Sequence, residues 1–190
     1  KKLDESMKGA LDDFMAEWKD EEIIPSTLQK YSLGFDELMA HLDPMENDPP
    51  RLLVPGSVWF LTDGDEILGA IEVRHFLNSG LLKYGGHIGY GVAPKHRGHG
   101  YAAQMVKMVM PQLKKLGLEM VLLCCVSDNV ASAKTIVNAG GVLENEVDGM
   151  KKQLTWKHTI LSCYGGIISQ AIVSCFAPLL FLTFQQEFAV

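Results

Sequence analysis

The chain has 190 residues, 47% hydrophobic and 21% charged, with 17 Lys and Arg against 23 Asp and Glu for a formal net charge of −6. That length and balance suit one folded domain with extensions and exclude a disordered chain. The acidic balance argues against nucleic acid as a partner, because phosphate backbones are held by basic faces. From Leu3 to Trp18 the apolar residues Leu3, Met7, Leu11, Phe14, Met15 and Trp18 recur at intervals of three and four, the stripe of an amphipathic helix. The pattern predicts a second short helix over Phe35 to Leu42 and a loop through DPMENDPPRLLVPG. SVWFLTDGDEILGAIEVRHF reads as a β-hairpin turning at Asp63-Gly64-Asp65.

HIGYGV is a further strand, with Gly89 and Gly91 at alternate positions. Such glycines mark a bulge, a site where a ligand nears the backbone, or close packing of a neighbour. A helix from Gly100 to about Leu116 follows, with Pro111 expected to kink or split it unless packing compensates. LEMVLLCCV is an apolar run suited to a strand buried on both faces. In SDNVASAKTIVNAGG, a loop and helix, Ser127, Asp128 or Asn129 caps the start and Gly140 or Gly141 the end. VLENEV is one more strand, and the whole order predicts an α/β or α+β sandwich with a mixed sheet.

The four cysteines, Cys124, Cys125, Cys163 and Cys175, fit neither a zinc spacing nor a disulfide framework. They read as reduced thiols of a cytoplasmic protein, and the spacing calls for no metal. The opening KKLDESMKGALDDFM is charged and amphipathic, not a secretory signal, and its lack of an initiator methionine raises the expectation that a first strand is missing.

Between the HIGYGV strand and the following helix lies HRGHGYA, residues 96–102. A glycine-rich turn opening a helix presents free backbone N–H groups and the positive end of the helix dipole to one point, which is an anion site. Gly98 and Gly100 let a phosphate approach the main chain, and Arg97 adds a charge-assisted donor. A Walker loop is excluded because no Gly-Lys-Ser/Thr follows. Gly98-x-Gly100-x-x-Ala103 is half of a dinucleotide fingerprint, but its acidic partner is out of place, the first acid after the next strand being Asp128.

Arg97-x-x-Gly100-x-Ala102, then Asn129-x-x-Ser132 and a helix closing on Gly140-Gly141, resembles the acetyl-coenzyme A site of the GNAT superfamily of N-acetyltransferases. The runs RHFLN, LKYGGHIGYGV, RGHGYA and NAGGVLENEV are similar to a bacterial branch of that superfamily, over about Leu3 to Val147. The resemblance implies a GNAT-like α/β (α+β) fold: a mixed, mostly antiparallel central sheet, splayed between two strands and flanked by helices. It implies acetyl-CoA as cosubstrate, with Arg97, Gly98, His99, Gly100, Tyr101 and Ala102 around its diphosphate. The main chain of Gly91 and Val92 would follow its pantetheine arm, with Asn129 and Ser132 close by.

The implied reaction is direct attack of a neutral amine, on a small molecule or a protein, on the thioester. It calls for a base, an oxyanion donor near Val92, and a donor for the leaving thiolate. Relatives place a tyrosine four residues after the serine for that last task, and here Ile136 stands there, leaving Tyr90, Ser132 or water. Base candidates are Glu72, His75 and His87, each with a plainer reading: Glu72 on a solvated face, His87 as a satisfied histidine, Asn129 and Ser132 as helix caps. A non-catalytic acyl-CoA-binding module is the alternative, motivated by Ile136.

After Val147 the resemblance fades, and residues 1–157 are taken as the acetyltransferase domain and 158–190 as a hydrophobic extension. Thr159 to Gln186 contains no charged residue, long enough to cross a bilayer, and KKQLTWKH before it is cationic with a tryptophan, as a membrane flank would be. The extension reads equally as a packed or swapped element contacting a second copy in a homodimer, or as a non-native continuation.

Overall fold

Alternation along three strands sets the architecture. The computed structural model describes residues 1–19, 21–148 and 152–159, the last of these as backbone. Strands β1 (Gly56–Asp63), β2 (Glu66–Arg74) and β3 (Ile88–Val92) form an antiparallel sheet in the order β1-β2-β3. The β1–β2 hairpin turns through Gly64, at φ +56, and Asp65. Successive side chains point to opposite faces, so β1 and β2 each feed two cores, while β3, with Gly89 and Gly91 on one face, feeds one.

One core gathers Val58, Phe60, Ile67 and Ala70 with Leu11 and Phe14 of helix α1 (Lys8–Ala16), Leu28, and Phe35 and Leu38 of helix α2 (Phe35–Leu42). The other gathers Ile71, Val73 and Ile88 with Met105, Val106, Val109 and Leu113 of helix α3 (Tyr101–Lys115). The predicted first helix is shorter than its stripe, because Glu5–Met7 winds as a tighter 3-10 turn capped by Asp4. The backbone of Lys1 exchanges two hydrogen bonds with Phe60, engaging the outer edge of β1.

Helix α3 is not split by Pro111, which lies on its exposed face while Val109 and Leu113 on either side are buried. Their packing offsets the lost backbone donor. Strand β4 (Met120–Val126) follows, then helix α4 (Val130–Asn138), strand β5 (Val142–Asp148) and strand β6 (Lys152–Thr159). These three strands form a second antiparallel sheet in the order β4-β6-β5.

One expectation needs correction here. KKQLTWKH, residues 151–158, reads as a cationic membrane flank, yet 152–159 is the central strand of this second sheet, with Trp156 opposite Leu123 on one side and Leu143 on the other. The strand supplies β4 with a full backbone partner that neighbouring sequence cannot reveal. The three readings of the extension from Ile160 onward concern residues outside those described. Among the described residues no helix is long and apolar enough to cross a membrane.

Glycines in β3 have a structural cause. A Cβ on Gly91 would lie 2.2 Å from the carbonyl oxygen of Ile24 and 2.8 Å from Trp18, and one on Gly89 would meet Arg74 and Pro25. What approaches this strand closely is the chain's own segment Trp18–Pro25, laid across it. Gly91→Ala therefore lowers the thermal midpoint, costing roughly 1–3 kcal/mol by overpacking. Gly9→Ala, on α1 with nothing within 4 Å, raises it by about 0.5–1 kcal/mol. Equal melting curves for the two variants would refute this account of the strand.

Candidate active site

The two sheets meet at one point and part beyond it. His87 donates its backbone N–H to Leu122 in β4 at 2.7 Å, and its ring Nδ1 accepts the backbone N–H of Leu122 at 2.9 Å. A side-chain nitrogen thus stands where the next main-chain acceptor of a ladder would be. Gly86, at φ +67, allows this contact, since a Cβ there would lie 2.6 Å from the Leu122 carbonyl oxygen. From Ile88 onward β3 has no ladder with β4.

The N–H of Ala93 reaches back to Leu68 of β2, and the N–H of Arg74 to the carbonyl of His87. Antiparallel alternation then turns the main-chain groups of Gly89 and Gly91 toward β2 and those of Tyr90 and Val92 toward the opening. The open edge expected at Gly91 and Val92 therefore belongs to Tyr90 and Val92. Across the opening the hydroxyl of Tyr90 lies 2.8 Å from Oγ of Ser132 and donates to the Ser132 carbonyl at 3.3 Å. Burial raises the Tyr90 phenol above its usual range, opposed by its hydrogen bond to Ser132.

At the far end of β3 the chain makes a short 3-10 turn, Pro94–His96, and then enters α3 through Arg97, Gly98, His99 and Gly100. Gly98 and Gly100 sit at φ +84 and +82, the left-handed region that other residues avoid. Nothing lies within 4 Å of a Cβ built on either, so the space above them is open. Among the described residues no acceptor is paired with the main-chain N–H groups of Gly98, His99, Gly100, Tyr101, Ala102 or Ala103. The His99 ring stacks on Tyr101 at 5.9 Å and its Nδ1 lies 3.2 Å from the His96 carbonyl oxygen, which stiffens the turn.

Contacts that the sequence did not announce hold this turn in place. Arg97 donates from Nε to the Val92 carbonyl at 3.2 Å, pairs with Glu21 at 2.7 Å and lies 5.3 Å from the centre of the Trp18 ring. Lys95 joins Glu17 at 2.6 Å and Glu66 at 2.7 Å. Glu17, Glu66 and His96 bring ligand-type atoms within 4.8 Å of one another, a grouping in which the Lys95 ammonium already neutralises the carboxylates. Apart from Val92, five residues from Arg97, these partners lie some 30 to 80 residues apart in the chain, and only Trp18 carried a signal, as one member of a helical stripe.

The base candidates separate. Glu72 is buried, not on a solvated face: Thr27 donates to it at 2.7 Å and Arg74 pairs with it at 2.7 Å. In the register it stands opposite Gly89. His75 lies three residues farther along, about 10 Å at strand rise, and bonds Ser57, which also bonds Glu46. Burial holds the His75 imidazole below its ordinary range, against the opposing charge of Glu46. His87 is occupied by the sheet junction. Asn129 caps α4 by accepting the Ser132 N–H at 3.0 Å, and Ile136 is buried in the core under α4.

With this geometry, relatives of known structure are informative. The Acetyltransferase (GNAT) family model matches residues 12–137, about two thirds of the sequence, and the chain belongs to that family. The fold is similar to that of a Salmonella typhimurium acetyl transferase that modifies the N-terminal serine of ribosomal protein L7/L12. Identity is 17% and the TM-score 0.60, with 84% of this chain and 93% of that one covered. It is also similar to the microcin C7 self-immunity acetyltransferase MccE, solved with acetyl-CoA and AMP: 14% identity, TM-score 0.53, coverage 81% and 88%. Against the ribosomal-protein-S5-alanine acetyltransferase from Vibrio fischeri, at 17% identity and a TM-score of 0.47, 58% of this chain matches and it spans 64% of that protein's length. No curated protein matches the sequence at significant similarity.

His87 makes the junction sensitive to acid. Burial lowers its folded-state pKa below the ordinary 6.5, and Nδ1 can accept the Leu122 N–H only while it carries no proton. The unfolded chain takes up the proton first, so stability is complete above the unfolded value and falls as pH drops through it toward the lower folded value. Urea midpoints should decline below pH ~6.5, and His87→Gln should flatten that decline while lowering the midpoint at pH 8. An unchanged slope in the variant would remove His87 from this role.

Proposed function

We propose that residues 1–157 catalyse transfer of an acetyl group from acetyl-CoA to a primary amine of a small molecule or protein, by direct attack. The observation that carries this reading is the run of six unpaired N–H groups, Gly98 to Ala103, opening onto clear space at the start of α3. Such a row suits a diphosphate, whose charge the helix start also favours. Arg97, Gly98, His99, Gly100, Tyr101 and Ala102 surround the diphosphate. The arm runs along the open edge of β3 by Tyr90 and Val92, near Asn129 and Ser132, and the Val92 N–H steadies the thioester oxyanion.

Three groups share the proton work. Tyr90, a phenol kept protonated by burial, gives its proton to the leaving thiolate and is aimed by Ser132. Its reach from β3 puts a hydroxyl at the start of α4, one turn before the place where relatives carry a tyrosine and this chain has Ile136. Glu72, by its position opposite Gly89, takes the ammonium proton through water, and His75, set farther along the strand, serves less directly. A neutral amine then attacks the acetyl carbon, the C–S bond breaks, coenzyme A leaves as the thiol with the Tyr90 proton, and the second proton lost by the new amide nitrogen restores the phenol. Protein amines are a fitting acceptor class, since the Salmonella relative modifies an N-terminal serine.

A second reading, an acyl-CoA-binding module without turnover, draws on the burial of Ile136 in the acid position. Calorimetry with acetyl-CoA followed by thiol release across a panel of amines and N-terminal peptides separates the two. Amine-dependent turnover is expected. Arg97→Ala should weaken acetyl-CoA binding roughly tenfold. Glu72→Gln should leave that affinity unchanged and lower kcat by about 100-fold. Absence of acetyl-CoA binding by the intact protein would end the cofactor assignment, and binding without turnover would favour the module.

A further inference from the structure

Past the end of α1, where Lys19 sits at φ +45, Trp18 and Ile24 lie against Gly91 of β3, the strand that leads into the glycine turn. Three groups hold the Arg97 guanidinium there. The Val92 carbonyl takes Nε, the Trp18 ring lies against its carbon, and Glu21 Oε2 sits 2.7 Å from a terminal nitrogen. The first two leave the outward edge of the guanidinium usable. Glu21 does not, because a carboxylate oxygen offers that edge the same chemistry as a phosphate oxygen. The neighbouring acids of this region, Glu17 and Glu66, are tied to Lys95, so Glu21 is the carboxylate of this group that faces the arginine of the turn.

We infer that Glu21 is a specificity-determining residue of the turn: an internal carboxylate that occupies Arg97 until a diphosphate-bearing ligand displaces it. The inference rests on the assignment of the turn to the cofactor diphosphate. Both partners of the pair are about half exposed, at 44% and 54%, so one carboxylate holds the arginine only weakly. A diphosphate brings more charge and meets the unpaired amides of Gly98 to Ala103 as well, so it wins the exchange. A ligand with one carboxylate, or with no phosphate, gains little by displacing Glu21 and is turned away. Trp18 remains against the guanidinium throughout and keeps its plane set for the incoming anion.

The test compares the full chain with Glu21→Gln, an exposed and nearly isosteric change, by calorimetry with acetyl-CoA and with S-acetylpantetheine, which lacks phosphate. The variant should bind acetyl-CoA roughly two- to fivefold tighter and S-acetylpantetheine no differently. The gain should shrink at high salt, where exposed charges are screened, and vanish in an Arg97→Gln background. Equal or weaker acetyl-CoA binding by a variant with an unchanged melting curve overturns the inference. So does a gain that extends to S-acetylpantetheine or persists without Arg97. Failure of the wild-type protein to bind acetyl-CoA would sink the cofactor assignment itself, and this inference with it.

Discussion

A ring nitrogen in place of a main-chain acceptor organises this molecule. Where His87 accepts the N–H of Leu122, the second strand pairing of β3 is satisfied once and then stops. A longer ladder would have closed the sheet and consumed the amides and carbonyls of Tyr90 and Val92. Because the junction is a single buried histidine beside a left-handed glycine, the strands diverge without stranding a polar group at the point of divergence. The opening that results is where Tyr90 reaches Ser132 and where the cofactor arm is proposed to lie.

The opposite face of β3 is governed by close approach rather than by divergence. Gly89 and Gly91 let the Trp18–Pro25 segment settle on the strand, and that segment delivers Trp18 and Glu21 to Arg97. Glu17, one turn earlier, holds Lys95. The C-terminal end of α1 and the residues just after it thus grip two residues of the turn that precedes α3. Glu72 belongs to the same face, with Thr27 from the following segment as its donor.

Much of this was legible along the chain, because the signals concerned are local. The stripe from Leu3 to Trp18, the Gly64 turn of the hairpin, the Asn129 cap and the glycine turn at Arg97 each depend on residues within a few positions of one another. Gly98 and Gly100 announced themselves because positive φ is a property of a single residue. The same reasoning left Glu72 open between a base beside the cleft and an ordinary solvated face, since alternation fixes which face a side chain occupies but not what covers that face. It also left KKQLTWKH open to reading as a membrane flank, since a central strand paired on both sides by distant segments need not look apolar.

The sequence by itself determined the order of elements through β5, the glycine turn that opens α3 and the family to which the chain is similar, all consequences of short-range backbone preference and periodic burial. Tertiary structure alone decided that His87 is the sheet junction, that Tyr90 rather than a residue of α4 meets Ser132, and that Glu21 and Trp18 hold Arg97. Those are pairings between residues tens of positions apart, and their energies depend on distance and desolvation in three dimensions, quantities that no local pattern encodes.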